Sequence, residues 1–166
     1  MITRLANPGD HQAIFPMLRQ HRLRRQQQDT TLYQLHPDAE RRFLRWVGEV
    51  GEDPRTTLMV AEDKGQIIGF VYAVIERDLP IYLHEEFAII REWWVEPAFR
   101  RRGAGKALIN LAVKELAAVA VCQLRVRIAA GDADARELLG RCGFRAGAFE
   151  MVKDLQPSEG DSEEKS

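Results

Sequence analysis

Cysteine is nearly absent from this chain: Cys122 and Cys142 are the only two among 166 residues. That is too few for a disulfide framework or a four-ligand zinc site. No apolar run approaches the roughly 20 residues that a membrane span needs. The opening Met1-Ile2-Thr3-Arg4-Leu5 carries no signal-peptide apolar core. A formal net charge of −1 gives no bulk reason to expect a nucleic-acid or membrane partner. No internal repeat and no dividing linker is visible. The expected place is therefore the reducing cytoplasm. Against these absences stands an apolar fraction of 45%, enough for a real core in one compact domain.

The pattern of apolar residues predicts an alternation of strands and helices. Residues 2–5 read as a short edge strand, and Asp10 as the N-cap of a helix carrying Ile14 and Leu18 at i, i+4. Pro16 predicts a kink or a late start in that helix. Residues 19–36 are polar, basic and glutamine-rich, and read as a helix end followed by a loop. Asp38 opens a second helix to about Val50, with Phe43, Leu44 and Val47 as its stripe. A hairpin follows: Thr57 to Glu62, a Lys64-Gly65 turn, then Gln66 to Ile75. Phe87 to Val95 is a third long strand. Helices are predicted from Lys106 to Val119 and from Asp132 to Arg141, the latter ended by Gly143. Strands are predicted at Val121–Ile128 and Ala148–Leu155. The acidic residues 156–166 read as a disordered tail, leaving 1–155 as the domain. The order implies an α/β sheet with helices on both faces.

The informative stretch runs from Glu92 through Trp93, Trp94 and Val95 into Arg100-Arg101-Arg102-Gly103-Ala104-Gly105-Lys106. A strand enters a basic, glycine-containing turn that opens a helix. Free amides at a helix N-terminus favour an anion, and phosphate above all. Two phosphate loops are excluded by spacing. A Walker loop would need glycine where Arg100 stands and a hydroxyl residue where Ala107 stands, and a dinucleotide fingerprint would need glycine in place of Leu108.

What remains, Arg100-x-x-Gly103-x-Gly105, resembles the acetyl-CoA signature of the GNAT superfamily of N-acetyltransferases: Arg or Gln, two residues, Gly, one residue, Gly or Ala. Asp132, Ala135, Leu139 and Gly143-Phe144 match the spacing of a second family element near the C-terminus, and the 58–71 hairpin is similar to the family's second and third strands. The resemblance implies a single-domain GNAT fold. Its mixed, mostly antiparallel sheet would have six to seven strands, with a splayed central strand pair. It implies acetyl-CoA as co-substrate, with pantetheine paired to the backbone of Trp93, Trp94 and Val95. The pyrophosphate would rest on the amides of Arg101 through Lys106, including Arg102, Gly103, Ala104 and Gly105, beside Arg100, Asp132 and Ala135. The Val95 N–H would hold the thioester carbonyl and stabilise its oxyanion.

Direct attack by an amine calls for a base. Glu92 is the candidate, three residues before Val95 and on the face of Trp94; the alternative is a structural ion pair with Arg91 or Arg127. His84, Glu85 and Glu86 are substitutes acting through water. The family's usual acid, a tyrosine, is replaced here by Leu139, so Tyr72 or Tyr82 or water would have to serve. The acceptor would be a small-molecule or peptide amine, and a homodimer is compatible with the resemblance. The basic run Arg19, Arg22, Arg24, Arg25, Arg41, Arg42 and Arg45 reads first as a solvated helical face, with an acceptor rim as the alternative. A non-catalytic acyl-CoA-binding or sensor protein of the same fold competes with the enzyme. Nucleic-acid binding by the arginine-rich helices is disfavoured by the charge balance.

Overall fold

The computed structural model describes residues 1–155 apart from Thr31, Tyr33, Glu52 and Ala120. The acidic segment 156–166 lies outside the described residues. The elements are β1 (Ile2–Leu5), α1 (His11–Gln26), α2 (Ala39–Val50), β2 (Thr56–Asp63), β3 (Gln66–Arg77), β4 (Glu86–Val95), α3 (Ala104–Ala118), β5 (Leu124–Val126) and α4 (Ala133–Arg141). Among the described residues they form one five-stranded sheet in the order β1-β2-β3-β4-β5. The first three pairings are antiparallel, and β4–β5 is parallel.

Strand periodicity sorts the core into two layers. Met59, Ala61, Ile68, Val71, Ile90 and Val95 face α3, where Leu108, Ile109, Ala112 and Leu116 meet them together with Leu139 of α4. Val60, Phe70 and Trp94 face the other way, against Ile14, Phe15 and Met17 of α1 and Phe43 and Val47 of α2. Helices cover both faces, as the pattern predicts. Each fully buried aliphatic or aromatic side chain contributes on the order of 1.5–3 kcal/mol. The β2–β3 turn places Lys64 at φ 51 and Gly65 at φ 82, the paired positive φ of a tight hairpin.

Several expectations need correcting. The sheet has five strands rather than six or seven. The 121–128 strand shrinks to Leu124–Val126, because only Ala88, Ile89 and Ile90 of β4 pair with it. The 148–155 segment forms no strand: Phe149, Met151 and Leu155 are exposed, and alternation without a neighbouring strand makes no ladder. Helix α1 starts at His11, runs through Pro16 and continues to Gln26. Its second half lacks an apolar stripe, but Arg, Gln and Leu are good helix formers. Asp10 does not cap α1 with its side chain. Asn7 caps the 3-10 turn Pro8–Asp10, and the Asp10 carboxylate accepts from the Asn7 amide at 2.8 Å.

Asp10 instead joins a network that ties the chain's start to β2. Arg4 donates to Asp10 at 2.7 and 3.0 Å and to Glu62 at 2.8 and 3.1 Å. The Arg4 guanidinium holds the Asp10 carboxyl below its ordinary range. A depressed carboxyl stabilises the fold above its unfolded pKa, about 3.9, and that contribution is lost as pH falls through the folded value. Denaturant unfolding of wild type and Asp10→Asn should therefore differ at pH 7 and converge in acid.

Gly69 on β3 is set by close packing. A Cβ there would lie 2.8 Å from the Trp94 carbonyl oxygen and 3.2 Å from both Leu108 and Val95. Gly69→Ala should lower unfolding free energy by roughly 1–3 kcal/mol, read as a shift of the urea midpoint with unchanged slope.

Candidate active site

The site begins where the β4–β5 ladder stops. Pairing runs Ala88–Leu124, Ile89–Arg125 and Ile90–Val126, and then ends, although β4 continues through Val95. The Glu96 N–H donates to the Ile68 carbonyl at 2.9 Å, which sets the phase of the antiparallel β3–β4 ladder. Antiparallel residues alternate between exchanging both bonds with the partner and turning both groups away. Trp94 therefore faces Phe70 of β3, while Trp93 and Val95 direct their main-chain groups toward the gap left by β5. The Val95 carbonyl accepts from Arg100 Nε at 2.9 Å, leaving the Val95 amide, with the main-chain groups of Trp93, on that edge. The ladder ends where the resemblance implies a splayed strand pair. Of the three residues expected to pair with a ligand through their backbone, Trp93 and Val95 have the geometry; the backbone of Trp94 belongs to β3.

Past the gap the chain enters the glycine turn. Arg100 is extended, Arg101 has φ 61, Gly103 has φ 88, and α3 begins at Ala104. No side chain caps α3, and its first internal bond is Ala107 N–H to Gly103 C=O. Among the described residues no protein group accepts from the amides of 101–106. The two glycines have different reasons. Gly103 needs its positive φ and has open space before it, whereas a Cβ on Gly105 would lie 2.9 Å from Leu138 and 3.3 Å from the Trp93 ring. Gly103 keeps the turn open; Gly105 lets α3 pack against α4.

Gap and turn form one cleft of about 430 Å³. Trp93, Trp94, Val95, Arg100 and Arg101 line it, with Gly103, Gly105 and Lys106 from the turn, and Asp132 and Ala135 from the start of α4. Arg102 and Ala104 do not line it: the Arg102 guanidinium lies 5.7 Å from the Phe99 ring, and the Ala104 side chain is in the core. Arg100 is held over the Trp94 ring at 4.3 Å, and burial, with Arg24 nearby, pushes its pKa down. Arg101 reaches Asp134 of α4 at 3.1 Å. Asp132 caps α4 by accepting from the Ala135 amide at 3.1 Å.

Glu92 shares the face of Trp94 as alternation predicts, but it is buried and does not line the cleft. Its partner is Arg22 of α1, not Arg91 or Arg127, which pair with Glu76 and Glu150. His21 lies beside it, Nδ1 to Oε2 at 3.2 Å, and does line the cleft. The His21 ring packs on Trp94 at 5.2 Å between centroids. Burial first, then Arg25 and Arg22, hold His21 down to about 3, so the ring is neutral near neutral pH. None of His84, Glu85 and Glu86 lines the cleft, and Glu86 is engaged by Arg55 and Arg77 at 3.0 and 3.1 Å. Tyr72 sits edge-on to Trp46 and Tyr82 is exposed; neither lines the cleft. Leu139 is a core residue.

Sequence reasoning missed His21 and Gln28 and offered Arg24 and Arg25 only as the second reading of the basic run; all four line the cleft, the first three from α1 and Gln28 from just past its end. Their spacing of i, i+3, i+4 and i+7 marks one helical face, a signal hidden by ending the helix too early.

The acetyltransferase (GNAT) family model matches residues 20–144. The chain belongs to this family. The GNAT chain is thus an enzyme of the acyltransferase class, and its fold recurs in solved structures. A mutant of the BH1408 protein from Bacillus halodurans is 17% identical, with TM-score 0.80 over 94% of this chain and 100% of that one. The aminoglycoside N-acetyltransferase AAC(6')-Iy, in complex with CoA, is 15% identical, with TM-score 0.72 over 94% and 100%. The ribosomal-protein-alanine N-acetyltransferase of Brucella melitensis biovar Abortus is 17% identical, with TM-score 0.69 over 93% and 100%. No curated protein matches by sequence.

Gly105→Val should force a branched side chain against Leu138 and Trp93 and cost roughly 1–3 kcal/mol. Thermal unfolding of the purified variant checks this.

Proposed function

We propose that this GNAT protein transfers the acetyl group of acetyl-CoA to a primary amine by direct attack within a ternary complex. One observation carries the reading: the uncapped amides of 101–106 open into the same cleft as the outward-turned edge of Trp93 and Val95. A diphosphate on the turn would satisfy amides that no protein group satisfies, with Arg100, Arg101 and Lys106 supplying positive charge around it. Pantetheine would then follow the β4 edge, adding the hydrogen bonds that β5 withholds. The Val95 N–H would meet the thioester oxygen, where negative charge develops on attack. Holding amine and thioester together supplies much of the rate. Glu92, the sequence candidate for proton removal, is engaged by Arg22 and stands beside His21 at the cleft wall.

The acceptor is a small-molecule or peptide amine. AAC(6')-Iy has been solved with a bisubstrate analogue, CoA-S-monomethyl-acetylneamine, which joins CoA to an acceptor of the first kind. Among the described residues no helix is long and apolar enough to cross a membrane, and the enzyme would act in the cytoplasm. The competing reading, an acyl-CoA sensor, draws on Leu139 in the core and on Tyr72 and Tyr82 away from the cleft. A thiolate leaves without a strong acid, so we favour the enzyme.

Gly103→Trp places an indole across the turn. CoA affinity measured by calorimetry should fall at least tenfold, about 1.4 kcal/mol, and acetyl-CoA-dependent thiol release with an amine panel should fall with it. Normal CoA binding by that variant would rule out the diphosphate site.

A further inference from the structure

We propose that His21 is the group that takes the proton from the attacking ammonium, with Glu92 as the residue that positions it. The proposal rests on the acetyl-transfer reading and assigns its base to an atom that can reach the substrate. Glu92 is buried behind Trp94 and does not line the cleft, while His21, on the same side of the sheet, does.

Two orphaned atoms point to the partnership. His21 Nδ1 and Glu92 Oε2 are buried, and neither makes a hydrogen bond, yet they face one another at 3.2 Å. Buried polar atoms are rarely left so. A proton on Nδ1 directed at Oε2 satisfies both at once. Arg22 holds the other carboxylate oxygen, and the Trp94 ring fixes the imidazole plane, so the carboxylate has little freedom to turn elsewhere. That tautomer leaves Nε2 as the ring nitrogen with a lone pair for the cleft. A carboxylate behind the donating nitrogen orients the ring and stabilises the imidazolium once it forms.

The electrostatic surroundings keep the base form populated. Burial first, then Arg25, Arg22 and Arg24 of α1, disfavour the imidazolium, while Asp132 favours it; these effects also weaken the ring as a base, so proton uptake depends on the Glu92 carboxylate behind Nδ1. The step balances as follows. Nε2 accepts one proton from the ammonium. The freed amine forms a C–N bond to the thioester carbon, and the C–S bond breaks with its electron pair leaving on sulfur. The remaining excess proton on nitrogen goes to the thiolate, giving CoA-SH and the amide, and His21 returns its proton to water.

The test uses the full chain, acetyl-CoA, and whichever amine of a panel (an α-amino acid, an N-terminal peptide, a polyamine, an aminoglycoside) gives the fastest thiol release. In His21→Gln and His21→Ala, kcat should fall at least a hundredfold with acetyl-CoA affinity within threefold of wild type. Added imidazole should restore His21→Ala at least tenfold and leave His21→Gln unmoved. Glu92→Gln should lower kcat and keep KM for acetyl-CoA. A kcat within threefold of wild type in both His21 variants overturns the base assignment and leaves acetyl transfer standing. Equal loss in His21→Ala with no imidazole rescue, at an unchanged melting temperature, overturns it too. A wild-type chain that binds acetyl-CoA and acetylates no amine overturns both readings.

Discussion

The end of the β4–β5 ladder at Ile90 and Val126 is the constraint on which the site depends. Upstream, β4 is an ordinary internal strand, paired on both sides. Downstream it pairs only with β3, and its other edge is turned toward open space. An unpaired strand edge is usually a liability, because its main-chain groups seek any available partner. Here the exposure is limited to the outward groups of Trp93 and Val95, and the Arg100 side chain already takes one of them, the Val95 carbonyl. The edge is thereby narrowed to a few donors and acceptors in a defined register, which is what an extended ligand requires.

The two layers of the core hold that opening in place. Trp94 is packed among α1 and α2, while Val95 is packed beneath α3. Adjacent residues anchored to opposite faces leave the strand no freedom to rotate and close the gap. Gly69 brings β3 so near the Trp94 carbonyl that no Cβ fits between them, and Gly105 lets the Leu138 side chain and the Trp93 ring close against α3. Both glycines act through distance. Gly103 acts through its backbone angle. The rigidity of the cleft thus comes from contacts outside it.

The turn was legible because its chemistry is local. Glycine at 103, basic neighbours and a following amphipathic helix are all written within fifteen residues. The two-sided sheet and the hairpin were legible for the same reason, since period-2 patterning shows in every strand with a partner. The α1 wall was legible only through Arg24 and Arg25, as the second reading of the basic run, because arginine, histidine and glutamine look solvated when a helix is sought by its apolar stripe. The partner of Glu92 was equally hidden: Arg22 lies seventy positions earlier, and no spacing rule links a helix to a strand that distant. The segment 148–155 shows the converse error. Its alternation fits a strand, but a strand exists only where another edge receives it.

Two sets of cations around the cleft differ in what an incoming anion would disturb. Arg91, Arg101, Arg127 and Arg141 each reach a carboxylate, in turn Glu76, Asp134, Glu150 and Glu137. Ion pairs at such exposed positions contribute little in water, so they keep the basic rim neutral at small cost and can exchange partners readily. Arg100 is different: it is tied to a neutral carbonyl and stacked on Trp94, and it carries its charge with no carboxylate in direct contact, burial and then Arg24 pushing its pKa down. Arg101 also holds a left-handed backbone, which costs an ordinary residue roughly 1–2 kcal/mol. Uncapped amides, an incompletely compensated guanidinium and a strained residue sit within one short turn. An anion bound at the start of α3 would pair with the first two and so offset the cost of the third. Their coincidence is the physical reason to read the turn as a built site rather than as an irregular loop.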